Sequence, residues 1–268
     1  MLDTLRKTIA VRPRFWVLTT VTSAVILLAR YGFDTESHFA SDGGAVRAYI
    51  SAISTLFGIL AAFIIYVVWS QFIEADHAIK LEANELLDLC RYAVYLNDPA
   101  ALDSVTAAVG RYASAVCEEE WTTMPAGRAH PGAEGALEGV FAAVNSVRFD
   151  DDRDSTAWSR MIQKFEAVSD ARDKRIELAG ERMPALMRGL LYMVSGLLLL
   201  GFFMMAIQND LLAVAVTVGT TAVVFLTIEV MEDIDNPFDG QWAISHEPFQ
   251  ALRRQLPALF RREEARSA

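Results

Sequence analysis

Residues Ala48–Ile73 read AYISAISTLFGILAAFIIYVVWSQFI, a run without one ionisable acid or base. About 20 helical residues cover the roughly 30 Å of hydrocarbon in a bilayer, so this run is long enough to cross one. At Glu74 the character changes to EADHAIKLEANELLDLCR, Glu74–Arg91, an amphipathic and water-facing helical pattern. An apolar span that continues into a charged helix predicts one long rod running from membrane to cytosol.

The composition fits this division. Hydrophobic residues make up 53% of the chain although 22% is charged, which is consistent if apolar residues gather in spans and charges lie between them. The net charge is −10. Residues 71–183 hold 21 acidic and 12 basic side chains, whereas residues 1–48 hold 4 acidic and 6 basic. Phosphate binding needs clustered Lys and Arg, so this balance argues against a nucleic-acid partner. Cys90 and Cys117 both fall on apolar helix faces and read as free, buried thiols.

Three further apolar runs accompany the first. Phe15–Ala29 is short and bounded by Arg14 and Arg30, whose long side chains can snorkel to the interfaces. Its basic start also resembles a secretory signal, but no small-x-small cleavage site follows. Gly189–Asn209 and Leu211–Ile228 are separated only by a Gln208-Asn209-Asp210 turn and predict a helical hairpin. Arg6, Lys7, Arg12, Arg14, Lys80, Arg91, Arg182, Arg188, Arg253 and Arg254 all fall on one side of a four-span arrangement. With positive residues inside, both termini are expected to face the cytoplasm across a plasma membrane.

The expected fold is therefore an all-α membrane protein of four transmembrane helices, with a large helical cytosolic insert between spans two and three. Residues 1–73 hold spans one (about 15–30) and two (about 48–70). Residues 74–183 form the insert, 184–230 the hairpin and 231–268 a cytosolic tail. Within the insert, Leu102, Val105, Val109, Tyr112 and Val116 trace one buried helical stripe. Asp98-Pro99 opens that helix as an N-cap and first-turn proline. Loop signals at Met124-Pro125 and His130-Pro131-Gly132 separate it from a second apolar face of Leu137, Val140, Phe141 and Val144. After the acidic Asp150-Asp151-Asp152, a last long helix runs through Trp158, Ile162, Phe165 and Val168. No alternating strand pattern occurs.

Catalytic chemistry has little support, and no enzymatic activity is expected. Glu74 and His77 share a Glu-x-x-His spacing, but a di-iron carboxylate bundle needs a second such motif with further facing carboxylates. Glu82 and Glu85 instead read as part of a solvated, salt-bridged face. No nucleophile elbow, phosphate-binding loop or zinc spacing is present. A stronger signal stands at the end of span four, where Glu232, Asp233, Asp235 and Asp239 surround Asn236-Pro237-Phe238. Carboxylates grouped this way can hold a hard cation such as calcium, or can cap a helix end and pair with Arg188, Arg253 or Arg254. Pro237 occupies a place where an EF-hand would have a ligand. No other cofactor is implied.

Several residues together resemble a known family. They are Gly58, Phe63 and Trp69 in span two, Glu82-Ala83 and Leu86 after it, Arg172 and Arg175-Ile176 before Pro184, and Asp235-x-Pro237-Phe238-x-Gly240. Their order resembles the bestrophin-like group of bacterial membrane proteins (the DUF4239 domain), distant relatives of the bestrophin channels. The resemblance covers roughly residues 48–250. It implies a homo-oligomeric, pentameric ion channel whose second span lines a central pore. Bestrophins follow their Asn-Pro-Phe turn with an acidic calcium clasp, whereas here Asp239 stands alone before Gly240.

At about 100° per residue, Ser51, Ser54, Thr55, Gly58, Ala62, Ile65, Trp69, Phe72 and Asp76 share one side of the second span. Ile53, Leu56, Leu60, Phe63, Ile64 and Val67 take the other. Small and polar residues giving way to Ile65 and aromatics fit a pore wall narrowing to a hydrophobic gate. The same small residues would also let membrane helices pack closely. The two readings separate a channel that passes small ions through several copies of span two from a scaffold whose insert binds a cytosolic partner. An acidic cytosolic vestibule would concentrate cations over anions.

Overall fold

The structure, a computed structural model, describes residues 13–33, 38–39, 41–96, 98–148 and 152–267. Arg6, Lys7, Arg12, Asp150 and Asp151 lie outside the described residues. Among the described residues, eight helices of more than three turns follow one another: α1 (Pro13–Phe33), α2 (Gly43–Ala93), α3 (Pro99–Ala115), α4 (Pro131–Asn145), α5 (Asp152–Gly180), α6 (Ala185–Met204), α7 (Asp210–Ile234) and α8 (Glu247–Ser267). No strand occurs among the described residues. Helices α1, α2, α6 and α7 are long and apolar enough to cross a membrane, as the sequence predicts. The chain divides into two compact units, Met1–Ser70 with Met183–Asp235, and Gln71–Arg182 with Asn236–Ala268. The division falls within α2.

In the first unit α1 and α7 run antiparallel. Arg14 donates from Nε to Glu229 and from Nη2 to Glu232, each at 2.8 Å, and at the other end Tyr31 donates to Asp210 at 3.1 Å. Phe15, Thr19 and Ser23 line the buried side of α1, four residues apart. Small hydroxyl side chains at this spacing let two helices approach closely. Arg30 departs from the expected snorkelling side chain. It is buried, and its guanidinium donates to the carbonyls of Met205 and Ile207 at 2.7 and 2.8 Å. Those carbonyls follow the last turn of α6, where a helix has no donors of its own left to satisfy them. A fixed cation there complements the negative end of the helix dipole.

The hairpin turn is shifted from its sequence boundaries. Helix α6 ends at Met204, Asn209 caps α7 by accepting from Leu212 N–H at 3.0 Å, and α7 continues to Ile234. Glu229, Glu232 and Asp233 therefore lie on the helix and not in a turn. Helix α2 meets α6 at Gly201, where a Cβ would stand 2.9 Å from Ile50 Cγ1 and Tyr49 Cε1. Tyr49 donates across the same crossing to the Leu197 carbonyl at 2.9 Å.

The second unit is a helical bundle with one continuous core. Leu102, Val105, Val109 and Tyr112 on α3 are all buried, as is Val116 just after it. Asp98 caps that helix, accepting from Ala100 and Ala101 N–H, with Pro99 in its first turn. Leu137, Val140 and Val144 of α4 join the core, while Phe141 stays exposed and rests against Phe165. On α5 the centre of the buried face is Met161, Val168, Arg172 and Arg175, with Trp158, Ile162 and Phe165 on its flank. Both cysteines are free; Cys90 is buried and Cys117 half-buried.

The α2–α6 crossing is testable by volume. Gly201→Val should destabilise the detergent-solubilised protein by about 1–3 kcal/mol through overpacking. Gly196→Ala on the same helix, where a Cβ meets nothing within 4 Å, should leave the melting temperature unchanged or raise it. Thermal unfolding of the two variants beside the unaltered protein checks this; equal losses would overturn the proposed close approach.

Candidate functional site

Two groups of residues have functional character, one on α2 within the first unit and one inside the second. On α2 the side that packs within its own chain is Phe57, Ala61, Ile64 and Val68, buried at the i, i+4, i+7, i+11 spacing of one narrow stripe. Neither of the two faces drawn from the sequence coincides with it. At about 100° per residue, the Ser54–Trp69 side lies roughly a quarter-turn to one flank, and Leu56 with Phe63 lies to the other. Gly58, Ala62, Ile65 and Trp69 are exposed, as are Ser51 and Thr55, and Ser54 is half-buried. Leu56, Phe63, Ile59 and Tyr66 are exposed as well, Tyr66 at 70%. Ile64, placed on the Leu56 side by the sequence pattern, is fully buried. Phe72 packs against the core of the second unit, and Asp76 pairs with Lys80 at 2.5 Å.

The acids near the end of α7 do not form a cation cage. Glu232 accepts from Arg14 and from the Tyr192 hydroxyl. Asp235 accepts from Met183 N–H at 2.7 Å and from Arg188 at 3.1 Å. Asp233 is buried, and Asp239 accepts from the amide of Gly240 at 2.8 Å. Among the described residues no three His, Cys, Asp or Glu side chains are grouped to hold a metal. Of the three arginines expected to pair with this turn, only Arg188 does so. Arg253 reaches Glu118 and Arg254 reaches Glu247. The residues present therefore do not fit a calcium clasp, and they do fit a helix end tied to its neighbours.

The second unit contains a buried charge network that includes Glu82, which the sequence pattern places on a solvated face. Arg175 has no exposed surface. Its Nε donates to Glu82 Oε2 at 2.7 Å and its Nη2 to Glu82 Oε1 at 3.1 Å, a two-pronged pair between α5 and α2. The same Nη2 donates to Glu120 Oε2 at 2.7 Å, and Arg172 donates to Glu120 Oε1 at 2.7 Å. Tyr112 of α3 donates its hydroxyl to Glu82 Oε1 at 2.5 Å. Met124 Sδ lies 3.4 Å from Arg175 Nη1, and the Phe249 ring of α8 sits 5.7 Å from the guanidinium carbon. Two acids and two bases cancel.

Glu82 is thus salt-bridged as expected but fully buried, because the neighbouring helices supply a matching guanidinium. The partners of Glu120 and the hydroxyl role of Tyr112 are not visible in the sequence pattern. Of Glu118, Glu119 and Glu120, the last stands four residues after Val116 on the stripe, but the period does not say what partner it meets. A π-helical turn at Val116–Glu120 faces Glu120 into the core and leaves Glu118 and Glu119 outside. Such turns are uncommon and concentrate at functional sites. The one available signal was the grouping of Glu82, Arg172 and Arg175 among the family-like residues.

Burial, the largest influence on Glu120, pushes its carboxyl up, but the charges of Arg175 and then Arg172 outweigh it and hold it below the ordinary value. Burial likewise works against the Arg175 charge, and Glu82 followed by Tyr112 and Glu120 more than offsets it, so its pKa is raised. Burial and then the Glu82 charge keep the Tyr112 phenol protonated, far above its ordinary value.

An aromatic chain links this network to the turn after α7. Phe238 packs edge-on against Trp121 at 5.5 Å, and Trp121 packs against Phe249 at 6.5 Å. Asn236 braces the turn by accepting from Phe238 N–H and donating to the Pro125 carbonyl.

Arg175→Met leaves Glu82 and Glu120 buried beside an apolar chain, and should cost about 3–5 kcal/mol. Lys80→Met, at an exposed pair, should cost about 0–1 kcal/mol. Thermal unfolding in detergent separates the two. The depressed carboxyl of Glu120 gives a pH signature. Its stabilisation is present above the ordinary glutamate range and is lost as pH falls through the depressed value. The stability gap between the unaltered protein and Glu120→Gln should therefore narrow only below about pH 4.

The fold is similar to that of solved membrane proteins. A single-residue variant of a bacterial bestrophin homologue from Klebsiella pneumoniae shares 15% identity and a TM-score of 0.69, over 92% of this chain and 97% of that one. A second variant of that homologue gives 14% and 0.69, over 91% and 97%. A structure described only as a membrane protein gives 14% and 0.69, over 92% and 99%. At these identities the likeness is one of fold. No curated protein matches the chain. The family model described as a Bestrophin-like domain matches residues 17–249, most of the sequence, and the chain therefore belongs to the bestrophin-like family.

Proposed function

We propose that several copies of this chain assemble around α2 and that small ions cross the membrane along the face carrying Ser54, Gly58, Ala62, Ile65 and Trp69. The observation that carries this reading is the coverage of α2. In the apolar part of α2 its own chain covers Val46 and the Phe57–Val68 stripe, and leaves exposed a flank of Ser51, Thr55, Gly58 and Ala62. That flank is small and polar where lipid-facing surfaces are bulky and apolar, so it suits water or a second copy of the helix. The bulky Ile59, Phe63 and Tyr66 elsewhere on the helix suit lipid or a neighbouring subunit. Membership of the bestrophin-like family supports the same reading.

Ile65 and Trp69 would form the narrow part, with Phe72 and Asp76 following on the cytosolic side. Both termini would lie in the cytoplasm of a bacterium, as the distribution of Lys and Arg implies. The excess of acids in residues 71–183 would favour cations at the cytosolic mouth. Conduction on this basis needs no chemical step and no bound cofactor.

Purified protein in liposomes tests the proposal. It should pass ions, and Ile65→Ala or Trp69→Ala should change the flux several-fold. Its particles should show rotational symmetry of four or five. A reversal potential in a KCl gradient should follow potassium; one that follows chloride would remove the cation preference and leave the pore. A monomer or dimer without flux would overturn the pore and leave the scaffold reading.

A further inference from the structure

The turn that carries Glu120 has a second feature, which the buried network does not use. His130 caps α4, and its Nδ1 lies 3.1 Å from the amide nitrogen of Gly132. The same Nδ1 lies 3.1 Å from Glu119 Oε2. The two contacts need opposite forms of one nitrogen. The Gly132 amide is a donor and requires a lone pair on Nδ1, whereas the ionised carboxylate of Glu119 requires a hydrogen there. No single state of the ring satisfies both.

We propose that His130 is a proton-operated switch at the start of α4. Neutral, with its hydrogen on Nε2, the ring caps the helix by accepting from Gly132. Protonated, it releases that amide and pairs with Glu119. The proton adds to Nδ1 from solvent, and no other bond is made or broken. Both side chains are partly open to water, His130 at 35% and Glu119 at 48%. The carboxylate is seated against the Gly132 backbone, where a Cβ would stand 1.8 Å from Oε2, so glycine is what leaves it room.

The charged groups around the ring come from three elements. The π-helical turn contributes Glu119 and Glu120, the latter accepting from the backbone N–H of His130 at 3.3 Å. Helix α4 contributes Glu134 in its first turn, and α5 contributes Arg172, held by Glu120. Histidine changes charge between about pH 5 and 8, well above the range in which Glu120 gives up its charge. The switch does not depend on whether the protein conducts ions.

Amide hydrogen exchange of the full chain in detergent tests it, read on the first turn of α4 at pH 8 and pH 5. His130→Asn supplies a cap that does not titrate, and its ratio to the unaltered protein divides out the intrinsic effect of pH. That ratio should be near one at pH 8, with the unaltered protein exchanging about five-fold faster at pH 5. Glu119→Gln should match the unaltered protein at pH 8 and exchange more slowly than it at pH 5, because no carboxylate then draws the ring off the Gly132 amide. A ratio that stays near one at pH 5 would overturn the switch. So would a Glu119→Gln protein that behaves like the unaltered one at both pH values.

Discussion

Arg175 is a permanent positive charge with no exposed surface, and the second unit is built around holding it. Removing a guanidinium from water costs several kcal/mol even after relaxation, so the structure must return most of that through placed partners. Glu82 offers both oxygens to it, Glu120 offers one, and the Phe249 ring covers a face. These partners come from α2, the π-helical turn and α8, so one side chain of α5 fixes three other segments at once. Their distances leave little room for alternative registers. An apolar core of the same volume could be as stable, but it would accept several arrangements of the same helices.

That fixed geometry extends outward through contacts of a different kind. Trp121 stands between Phe238 and Phe249, so the turn that follows α7 is packed onto the same core that encloses Arg175. Asn236 holds that turn from within, and Asp235 ties the end of α7 to Arg188 and to the Met183 amide. The acidic Asn-Pro-Phe stretch therefore acts as a brace. Its carboxylates are taken up by arginines and amides, which is the opposite of the open oxygen arrangement that a calcium ion would need.

The first unit follows other rules because bilayer lipid gives apolar surfaces no reason to associate. Its helices are joined by hydrogen-bonded and ionic ties near their ends, at Arg14, Arg30, Tyr31 and Tyr49, and by close approach at Gly201. Between Tyr49 and Trp69, helix α2 gives its own chain one narrow stripe and leaves most of its circumference open. An arrangement so sparse within one chain is well suited to completion by lipid and by further copies.

Much of this was legible in the residues. Apolar length set the four spans, because the cost of an unsatisfied backbone in lipid leaves helices as the only available form. Helical period set the α3 stripe from Leu102 to Val116, and the Asp98-Pro99 pair set its start. What the sequence could not supply was the surroundings of the charged residues. A glutamate at position 82 and arginines at 172 and 175 look the same whether they face water or each other, since pairing depends on helices distant in sequence. Glu120 stands four residues after Val116 on the same helical stripe, but nothing in the sequence shows that Arg172 and Arg175 meet it there. Which side of α2 its own chain covers was likewise not set by the hydrophobic pattern of α2, since the buried Phe57, Ala61, Ile64 and Val68 fall between the two faces that pattern draws. The sequence by itself determined where the helices are and which are apolar enough for a membrane. Only the tertiary structure decided which charges are buried, because burial depends on the partner each charge meets.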